Sequence, residues 1–408
     1  MEHNSINLDE YRERNSINFD KYVELRYTVY MIERVYAPLE RYIVPQNVLV
    51  IYGPRRVGKT TLVQEYLSTT KWKYKSVVGD DLPIQQLLSS RDVSRIQEYL
   101  EGYELFVIDE AQYVPDIGYA LKIMVDHVPN LRLIATGSSS FEIAGQIGEP
   151  LTGRKRTLTL FPISQSELLS RTNRYELKQD IEERLIFGSY PQVVMAQRRQ
   201  DRIDIIREIA NSYLLKDILA FDRVRSARVI WDLLKLLSFQ VGSEVSQNEL
   251  SRILGVDVKT VGRHLDLLEK AFVVYRLDGF SRNLRSEVTR NSKYFFFDNG
   301  IRNAVISQFN GIDQRNDVGA LWENFIIMER IKHLVYSSGV ANLYFWRTYS
   351  QQEIDWVEER GNQLDGYEIK WSRKKKSKTP SEWTKAYPHA TYTVISPDNY
   401  QSFVLPKT

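Results

Sequence analysis

A short apolar run joined directly to a glycine-rich loop is the feature that most limits how this chain can fold. The run VLVIY at residues 48–52 is β-branched and uninterrupted, and four similar runs follow it: SVVGD, LFVIDE, LRLIATG and RTLTLF. Helical stretches separate them, and such runs are typical of a parallel sheet that is covered on both faces. We therefore predict an α/β core over residues 45–162.

The loop GPRRVGKT follows the first run and fits the spacing G-x-x-x-x-G-K-S/T, with the helical sequence TTLVQEYL after it. In such a loop, backbone N–H groups and the helix N-terminus hold phosphate, the lysine reaches the β- and γ-phosphates, and the hydroxyl ligates Mg²⁺. Lys59 and Thr60 occupy these two positions. The residues predicted to bind ATP are Gly53, Pro54, Arg55, Arg56, Val57, Gly58, Lys59, Thr60 and Thr61.

Two carboxylates end the run LFVIDE. Asp109 is placed to hold the Mg²⁺ together with Thr60, and Glu110 to orient or deprotonate the water that attacks a phosphoanhydride. The alternative is that the two acids only cap a strand. The run LRLIATGSSS ends in the small hydroxyl residues Thr136 and Ser138, which we predict to lie near the γ-phosphate, although a simple turn of small residues has the same pattern.

The basic sequence LTGRKRTLTLF supplies a candidate for stabilising phosphoryl charge. Arg154 or Arg156 would act there as an arginine finger, either within its own chain or in a neighbouring subunit of a homo-oligomer. A solvated or DNA-facing basic turn explains the same residues equally well.

Several motifs together carry a family resemblance. GPRRVGKTTL, FVIDEAQ, ATGSSS, LTGR, FPISQSEL and FGSYPQVV resemble an archaeal and bacterial family of AAA-type ATPases, and the resemblance covers most of the chain from Val48 onward. It implies a P-loop core with an additional strand, followed by a small helical lid at residues 163–222.

Residues 223–293 are basic, with 13 Lys or Arg against 8 Asp or Glu, in a chain whose formal net charge is only +3. Within them, Ser246 and Glu249 form a capping box, Gly255 makes a turn and Asp257 caps a second helix, which together predict a helix-turn-helix. FVVYRLDGFSRN then reads as a β-hairpin, so we predict a winged helix.

The two helices divide their residues into inward and outward sets. The inward set is Leu250, Ile253, Leu254, Val261, Leu265 and Leu268. The outward set, where a recognition helix contacts DNA, is Lys259, Thr260, Arg263 and His264. A helix pair of this kind also serves as a packing module without DNA.

From residue 294 to 408 the chain resembles the domain of unknown function that accompanies these ATPases, which in turn looks like a restriction-endonuclease-type α/β fold. The motifs that carry this resemblance are WENFIIMERI, LYFWRTYSQQEIDWVEE and LDGYEIKWS. A candidate nuclease site follows, with Glu323 on a helix, Asp355 on a strand, and Glu368 and Lys370 on one face of the next strand. Carboxylate oxygens suit Mg²⁺, but an alternating charged strand produces the same spacing.

Composition excludes several classes of protein. The chain has 408 residues, no cysteine and 5 histidines, which excludes disulfide frameworks, zinc ribbons, iron–sulfur sites and thiol nucleophiles. The N-terminus has no apolar signal sequence and no run has membrane-spanning length, so we expect a cytoplasmic protein without membrane contact. NSINLDEY and NSINFDKY form a tandem similarity within an N-terminal arm of residues 1–44, and residues 22–43 have helical spacing.

These predictions combine into one main hypothesis. It is an Mg²⁺-dependent ATPase whose nucleotide state repositions a winged-helix and nuclease-like module on DNA. The alternative is a nucleotide-controlled switch that binds protein partners and uses the C-terminal domain as a non-catalytic scaffold.

Overall fold

The computed structural model describes residues 32–138, 151–221, 227–281, 291–372 and 378–406, with backbone only for residues 212–221. The tandem similarity at residues 4–22 lies outside the described residues. So do the arginines at positions 282, 285 and 290, which belong to the basic segment 223–293, and the lysines at positions 374–376, which belong to the basic run WSRKKKSK.

The N-terminal part is a five-stranded parallel sheet, as predicted. The strands are β1 (Val48–Tyr52), β2 (Tyr74–Val78), β3 (Leu105–Asp109), β4 (Arg132–Gly137) and β5 (Lys155–Thr159), in the order β2-β3-β4-β1-β5. The helices between them are α1 (Lys59–Thr69), α2 (Leu82–Ser89), α3 (Val93–Leu100) and α4 (Ile117–His127). Since β4 lies between β1 and β3, an additional strand separates the glycine-rich loop from the two carboxylates.

The central strands are buried on both faces. Along β1, Leu49 and Ile51 join one apolar cluster, whereas Val48 and Val50 join a second cluster on the opposite face. This alternation follows from the two-residue side-chain period of a strand. The uninterrupted apolar runs in the sequence are therefore explained by two covered faces.

Five helices follow the sheet in the region predicted as a lid. They are α5 (Gln165–Leu168), α6 (Arg174–Gln179), α7 (Ile181–Phe187), α8 (Pro191–Met195) and α9 (Arg199–Phe221). The helix predicted over residues 22–43 is wrong in its described part, where only a 3₁₀ turn at Leu39–Tyr42 forms. Pro38 explains this, because proline lacks a donor N–H and disfavours helical geometry in the preceding residue.

The next segment places three helices and three strands in sequence. They are α10 (Ala227–Phe239), β6 (Glu244–Val245), α11 (Gln247–Leu254), α12 (Val258–Lys270), β7 (Val274–Gly279) and β8 (Ser292–Phe296). Ser246 and Asp257 cap α11 and α12 as predicted, and Gly255 is left-handed between these two helices. The hairpin predicted within FVVYRLDGFSRN is wrong, since β7 pairs with β8, which begins nine residues beyond that segment.

Two residues on these helices face the opposite way from the prediction. His264 was expected to face outward but is 4% exposed, because it lies on the same side of α12 as the buried Val261, Leu265 and Leu268. Ile253 was expected to face inward but is 55% exposed. One residue of error in helical phase, about 100°, is enough to exchange a buried for an exposed position.

A seven-stranded mixed sheet continues from this segment into the C-terminal part. It adds β9 (Asn342–Arg347), β10 (Glu353–Arg360), β11 (Gln363–Ile369) and β12 (Thr391–Ile395), in the order β12-β11-β10-β9-β7-β8-β6. The remaining helices are α13 (Asn299–Val305), α14 (Val318–Tyr336), α15 (Ser381–Ala386) and α16 (Gln401–Val404). The boundary predicted between residues 293 and 294 falls inside β8, and β7 pairs in parallel with β9.

One apolar cluster runs through all of these parts. Leu49 of the first sheet, Leu185 of α7, Leu265 of α12 and Trp322 of α14 all belong to it. The predicted segments are thus packed around a shared core. Among the described residues, no helix combines the length and the apolar character that crossing a membrane requires.

Candidate functional site

The glycine-rich loop lies at the carboxyl end of β1 and leads directly into α1. Gly53 has a φ of 145°, and a Cβ added there would collide with the carbonyl oxygen of Leu160. Gly58 has a φ of 95°, which side chains other than glycine rarely adopt. Gly53 is therefore required by the close approach of Leu160, which follows β5. Gly58 is required by the turn from the loop into α1.

Lys59 and Thr60 are the first residues of α1, so their side chains begin at the mouth of the loop. The ammonium of Lys59 donates to the carbonyl oxygens of Gly53 and Pro54, each at 2.9 Å. The hydroxyl of Thr60 donates to Asp109 Oδ2 at 2.8 Å. The structure thus brings together the loop and the carboxylate of β3, which are 49 residues apart in sequence.

The carboxyl edge of the sheet carries a connected set of polar groups around Glu110. Thr136 donates to Asp109 Oδ1 and accepts from the backbone N–H of Glu110 at 3.1 Å. Gln112 donates to Glu110 Oε2 and accepts from the backbone N–H of Ser138 at 3.3 Å. Gln112 was not predicted, although its position two residues after Glu110 in DEAQ was a local signal for a residue that holds this carboxylate.

A cavity of about 760 Å³ opens beside the loop. Its walls come from four parts of the chain: the glycine-rich loop with α1, the segment before β1, the end of β3, and the region after β5. The lining residues are Ile32, Arg34, Arg56, Val57, Gly58, Lys59, Thr60, Thr61, Leu62, Glu65, Glu110, Ile163, Pro191, Gln192 and Met195. The volume is that of a small-molecule site, and a polar loop faces apolar residues across it.

The donor set at the mouth of the loop fits Mg²⁺. Thr60 Oγ1 and Asp109 Oδ2 are hard oxygen atoms already within hydrogen-bonding distance of each other, and Mg²⁺ in phosphate sites takes few protein oxygens and completes its shell with water and phosphate. Thr60 and Asp109 would hold the ion, as the sequence predicts.

Arg154 does not lie at this edge of the sheet. It precedes β5, and its carbonyl accepts from the backbone N–H of Val48 at the start of β1, while its guanidinium pairs with Asp126. The glycine-rich loop follows the other end of β1, roughly 16 Å away at 3.3 Å per residue. Action of Arg154 at the loop of its own chain is therefore wrong; action in a neighbouring subunit stays a prediction.

A second cluster of charged groups lies in the C-terminal part. Lys370 Nζ lies 2.5 Å from Glu368 Oε1 and 3.9 Å from Asp355 Oδ2, which also accepts the backbone N–H of Ile369 at 2.7 Å. Glu323 of α14 faces the same cluster. The four residues predicted as a nuclease site are thus near one another, because β10 and β11 are adjacent and α14 packs on the sheet.

The sequence did not reveal two further members of this charged cluster. Lys293 of β8 is 2% exposed at its side chain, contacts Glu353 Oε1 and lies 3.7 Å from Glu323 Oε1. No short sequence motif links Lys293 to residues 30 to 60 positions later. Only the pairing of β8 into the shared sheet brings its ammonium to the carboxylates.

Burial changes the ionisation of the charged cluster. Burial, together with the charge of Asp355, raises the pKa of Glu323 to about 8. Burial also raises the pKa of Asp355 and of Glu368. For Lys293 burial acts in the opposite direction, but the carboxylates of Glu323 and Glu353 outweigh it and raise its pKa. Despite burial, the carboxylates of the cluster raise the pKa of Lys370 as well. Lys293 and Lys370 therefore stay charged and serve as internal counterions.

A divalent cation does not fit the charged cluster as it stands. Among the described residues, no group of three or more His, Cys, Asp or Glu side chains is arranged to hold a metal ion. Lys293 and Lys370 already neutralise part of the carboxylate charge. A cation would have to share these carboxylates with the two ammonium groups, although Glu323 Oε1 and Glu368 Oε2 are buried without a hydrogen-bond partner in the described part of the chain.

The residues predicted to contact DNA are divided by the structure. Lys259 and Arg263 are exposed on α12, whereas the Thr260 hydroxyl is engaged by Asp257 Oδ2 at 2.6 Å and His264 is buried. Lys259 and Arg263 are therefore the two members of this set that a partner can reach.

Comparison with protein families finds three matches along the chain. Residues 45–169 match the AAA domain, residues 178–313 match a domain of unknown function (DUF8612), and residues 318–404 match another domain of unknown function (DUF4143). The match to the AAA domain includes the glycine-rich loop and both carboxylates, and the five-stranded parallel sheet is consistent with a P-loop AAA domain.

Three similar proteins are each described as uncharacterized. One from Mycobacterium tuberculosis is 28% identical over 375 residues, which cover 87% of this chain and 77% of that protein. One from Haemophilus influenzae is 26% identical over 348 residues, covering 77% and 80%, and one from Methanocaldococcus jannaschii is 22% identical over 310 residues, covering 71% and 68%. A solved structure titled "Structure of Drosophila ORC bound to DNA" matches with 11% identity and a TM-score of 0.24, over 66% of this chain and 92% of that one. A score this low carries no argument about function.

The ion pairs of Lys293 lead to a stability prediction. Replacement Lys293→Met leaves the carboxylate of Glu353 without its buried ammonium partner and raises the pKa of Glu323 further, so we expect a loss of about 3–5 kcal/mol in the free energy of unfolding. Urea denaturation of the full chain measures it. The control is Lys270→Met, which removes an exposed lysine paired with Asp266 at 2.9 Å and should cost below about 1 kcal/mol. Equal losses for the two variants would contradict the role of Lys293.

Proposed function

We propose that this protein is an Mg²⁺-dependent ATPase whose nucleotide state controls a C-terminal half that acts on DNA. The observation that carries the ATPase proposal is the hydrogen bond between Thr60 and Asp109 at the mouth of the glycine-rich loop, beside a cavity that also reaches Glu110. Hydrolysis of a phosphoanhydride requires this arrangement of groups: a hydroxyl and a carboxylate for the metal ion, a lysine for phosphate, and a second carboxylate for the attacking water.

Each side chain has a distinct part in this proposal. Lys59 would leave the carbonyl oxygens of Gly53 and Pro54 and donate to phosphate instead, since a charged phosphate is a stronger acceptor than these neutral groups of its own loop. Mg²⁺, when bound, neutralises phosphate charge. Glu110 would orient the attacking water and accept its proton, while Gln112 holds Glu110 Oε2.

Two replacements separate binding from hydrolysis. Lys59→Ala removes the ammonium that binds phosphate, so ATP affinity should fall at least tenfold and hydrolysis with it. Glu110→Gln keeps the shape but removes the proton acceptor, so ATP should still bind while kcat falls by about 10²–10⁴. Calorimetric titration and phosphate release measure the two effects, with the exposed Glu98→Gln as control. Unchanged hydrolysis in Lys59→Ala would exclude the ATPase proposal.

The proposal that DNA is the partner is supported by charge and by the order of elements. The order α10, β6, α11, α12, β7, β8 is compatible with a winged helix, in which α12 would be the recognition helix. Lys259 and Arg263 are exposed on that helix. Residues 223–293 carry the excess of basic over acidic side chains that phosphate contact needs.

The alternative, a switch that binds protein partners, is favoured by a different observation. Ile253 is 55% exposed and Val258 is 38% exposed, and they lie at the end of α11 and the start of α12. Apolar side chains at this turn suit a protein surface better than a phosphate backbone.

DNA stimulation distinguishes the two functions. If DNA is the partner, duplex DNA should raise ATPase turnover, and the effect should fall steeply as salt is increased. Replacing Lys259 and Arg263 together by Ala should lower the slope of log affinity against log salt by about 2. Lys270→Ala, at the other end of α12, is the control. ATPase turnover indifferent to DNA at every salt concentration would favour the protein-partner alternative.

Phosphodiester cleavage is a second candidate activity for the C-terminal part. The observation that favours it is the convergence of Asp355, Glu368 and Lys370, in which the ammonium lies 2.5 Å from one carboxylate and 3.9 Å from the other. The poor fit to a divalent cation among the described residues counts against it.

Cleavage has its own test. If nicking of plasmid DNA with Mg²⁺ or Mn²⁺ is real, Glu368→Ala or Lys370→Ala should abolish it while ATPase turnover stays within about twofold, because the charged cluster and the glycine-rich loop are separate sites. A wild-type chain that nicks DNA with neither metal would remove cleavage from the proposal and leave the ATPase intact.

A further inference from the structure

A buried arginine outside the glycine-rich motif contacts the motif's backbone. Arg34 precedes the region that matches the AAA domain, and it is 7% exposed. Its NH1 donates to the carbonyl oxygen of Val57 within the loop, and its NH2 donates to the carbonyl oxygen of Phe161 at 2.7 Å. Its Nε donates to Glu167 Oε1 at 2.8 Å. One guanidinium therefore joins the loop, the end of the strand beside it and the start of the helical region.

The contact with Val57 determines which way a loop peptide faces. In a planar trans peptide the C=O of one residue and the N–H of the next point in opposite directions. Since Arg34 binds the Val57 carbonyl, the N–H of Gly58 is directed away from Arg34. In a phosphate-binding loop the N–H groups must face the anion and the carbonyl groups must face away from it. Arg34 holds this peptide in the orientation that phosphate needs.

We infer that Arg34 is a positioning residue for the phosphates of the bound nucleotide, acting through the Val57–Gly58 peptide. The inference rests on the ATPase proposal, because it specifies how the same loop is prepared for its ligand. Without Arg34, the buried Val57 carbonyl loses its charged donor, and the peptide is free to turn its oxygen toward the phosphates, where it would repel them.

Arginine suits this position better than lysine. The three acceptors, Val57 O, Phe161 O and Glu167 Oε1, are reached from three different nitrogen atoms of one planar group. A lysine ammonium is a single point on a flexible chain and cannot span all three.

Arg34 is itself held by a fully engaged carboxylate. Glu167 Oε1 also accepts from the backbone N–H of Val35 at 3.0 Å, and Glu167 Oε2 accepts from the backbone N–H and the hydroxyl of Ser164, each at 2.9 Å. The side chain of Glu167 is 2% exposed, so water does not compete for it. The guanidinium therefore has one well-defined position beside the loop, at the wall of the cavity.

The experiment measures the ATPase kinetics and ATP affinity of the full chain carrying Arg34→Gln or Arg34→Lys. If Arg34 positions the loop, Arg34→Gln should raise the KM and Kd for Mg·ATP about tenfold or more, while kcat at saturating ATP stays within about threefold. Arg34→Lys should recover part of the affinity, because it restores the charge but not all three hydrogen bonds.

A matched control separates positioning from stability. Arg315 is also a buried arginine, but its partners are Asp317, Asn303 and Gln308, all remote from the loop in sequence and in contacts. Arg315→Lys should lower the midpoint of thermal unfolding without changing KM. If Arg315→Lys raises KM as much as Arg34→Lys does, KM reports general loss of stability and the inference is overturned.

The remaining outcomes also decide the question. A wild-type chain that shows no Lys59-dependent ATP binding refutes the ATPase proposal itself. Wild-type binding with an unchanged KM in Arg34→Gln refutes only the positioning role. If Arg34→Gln does not fold, the variant Glu167→Gln decides the question, because it keeps the shape of the acceptor but weakens its hold on Arg34. A rise in KM of about threefold or more in this variant supports the inference, and an unchanged KM overturns it.

Discussion

The carboxylate of Glu167 is the buried charge on which the arrangement of the elements around the glycine-rich loop depends. It receives donors from Arg34, Val35 and Ser164, and so ties the segment before β1 to the start of α5. A buried carboxylate is stable only when its oxygen atoms are hydrogen-bonded and its charge is balanced. Satisfying Glu167 therefore also fixes the arginine that contacts the phosphate loop.

The same short segment after β5 is held from the other side by the C-terminal part of the chain. Tyr336 of α14 accepts the backbone N–H of Phe161 at 3.1 Å, Lys332 donates to the Ile163 carbonyl at 3.3 Å, and Glu329 accepts the backbone N–H of Gln165 at 2.7 Å. Ile163 also lines the cavity beside the glycine-rich loop. α14 also carries Glu323, roughly 10–20 Å earlier along its axis, in the charged cluster. One helix, α14, thus connects the segment that lines the cavity with the charged cluster.

Much of the fold follows from local sequence patterns. The five strands of the first sheet, the glycine-rich loop, the pairing of Thr60 with Asp109 and the caps at Ser246 and Asp257 were all predictable, because each depends on residues a few positions apart or on the rule that parallel strands end at one edge. The assignments of His264 and Arg154 failed for lack of information about which helix face is covered and which sheet edge a residue lies on.

The sequence by itself indicated the kind of chemistry proposed for this protein, since the glycine-rich loop and the paired carboxylates are each contiguous motifs with narrow geometric requirements. Only the tertiary structure decided which distant residues support that chemistry. Arg34 reaches Glu167 across 133 residues and Lys293 reaches Glu353 across 60, and neither pair has a recognisable spacing. The physical reason is that burial and strand pairing, rather than neighbourhood in the chain, set which charges must neutralise each other.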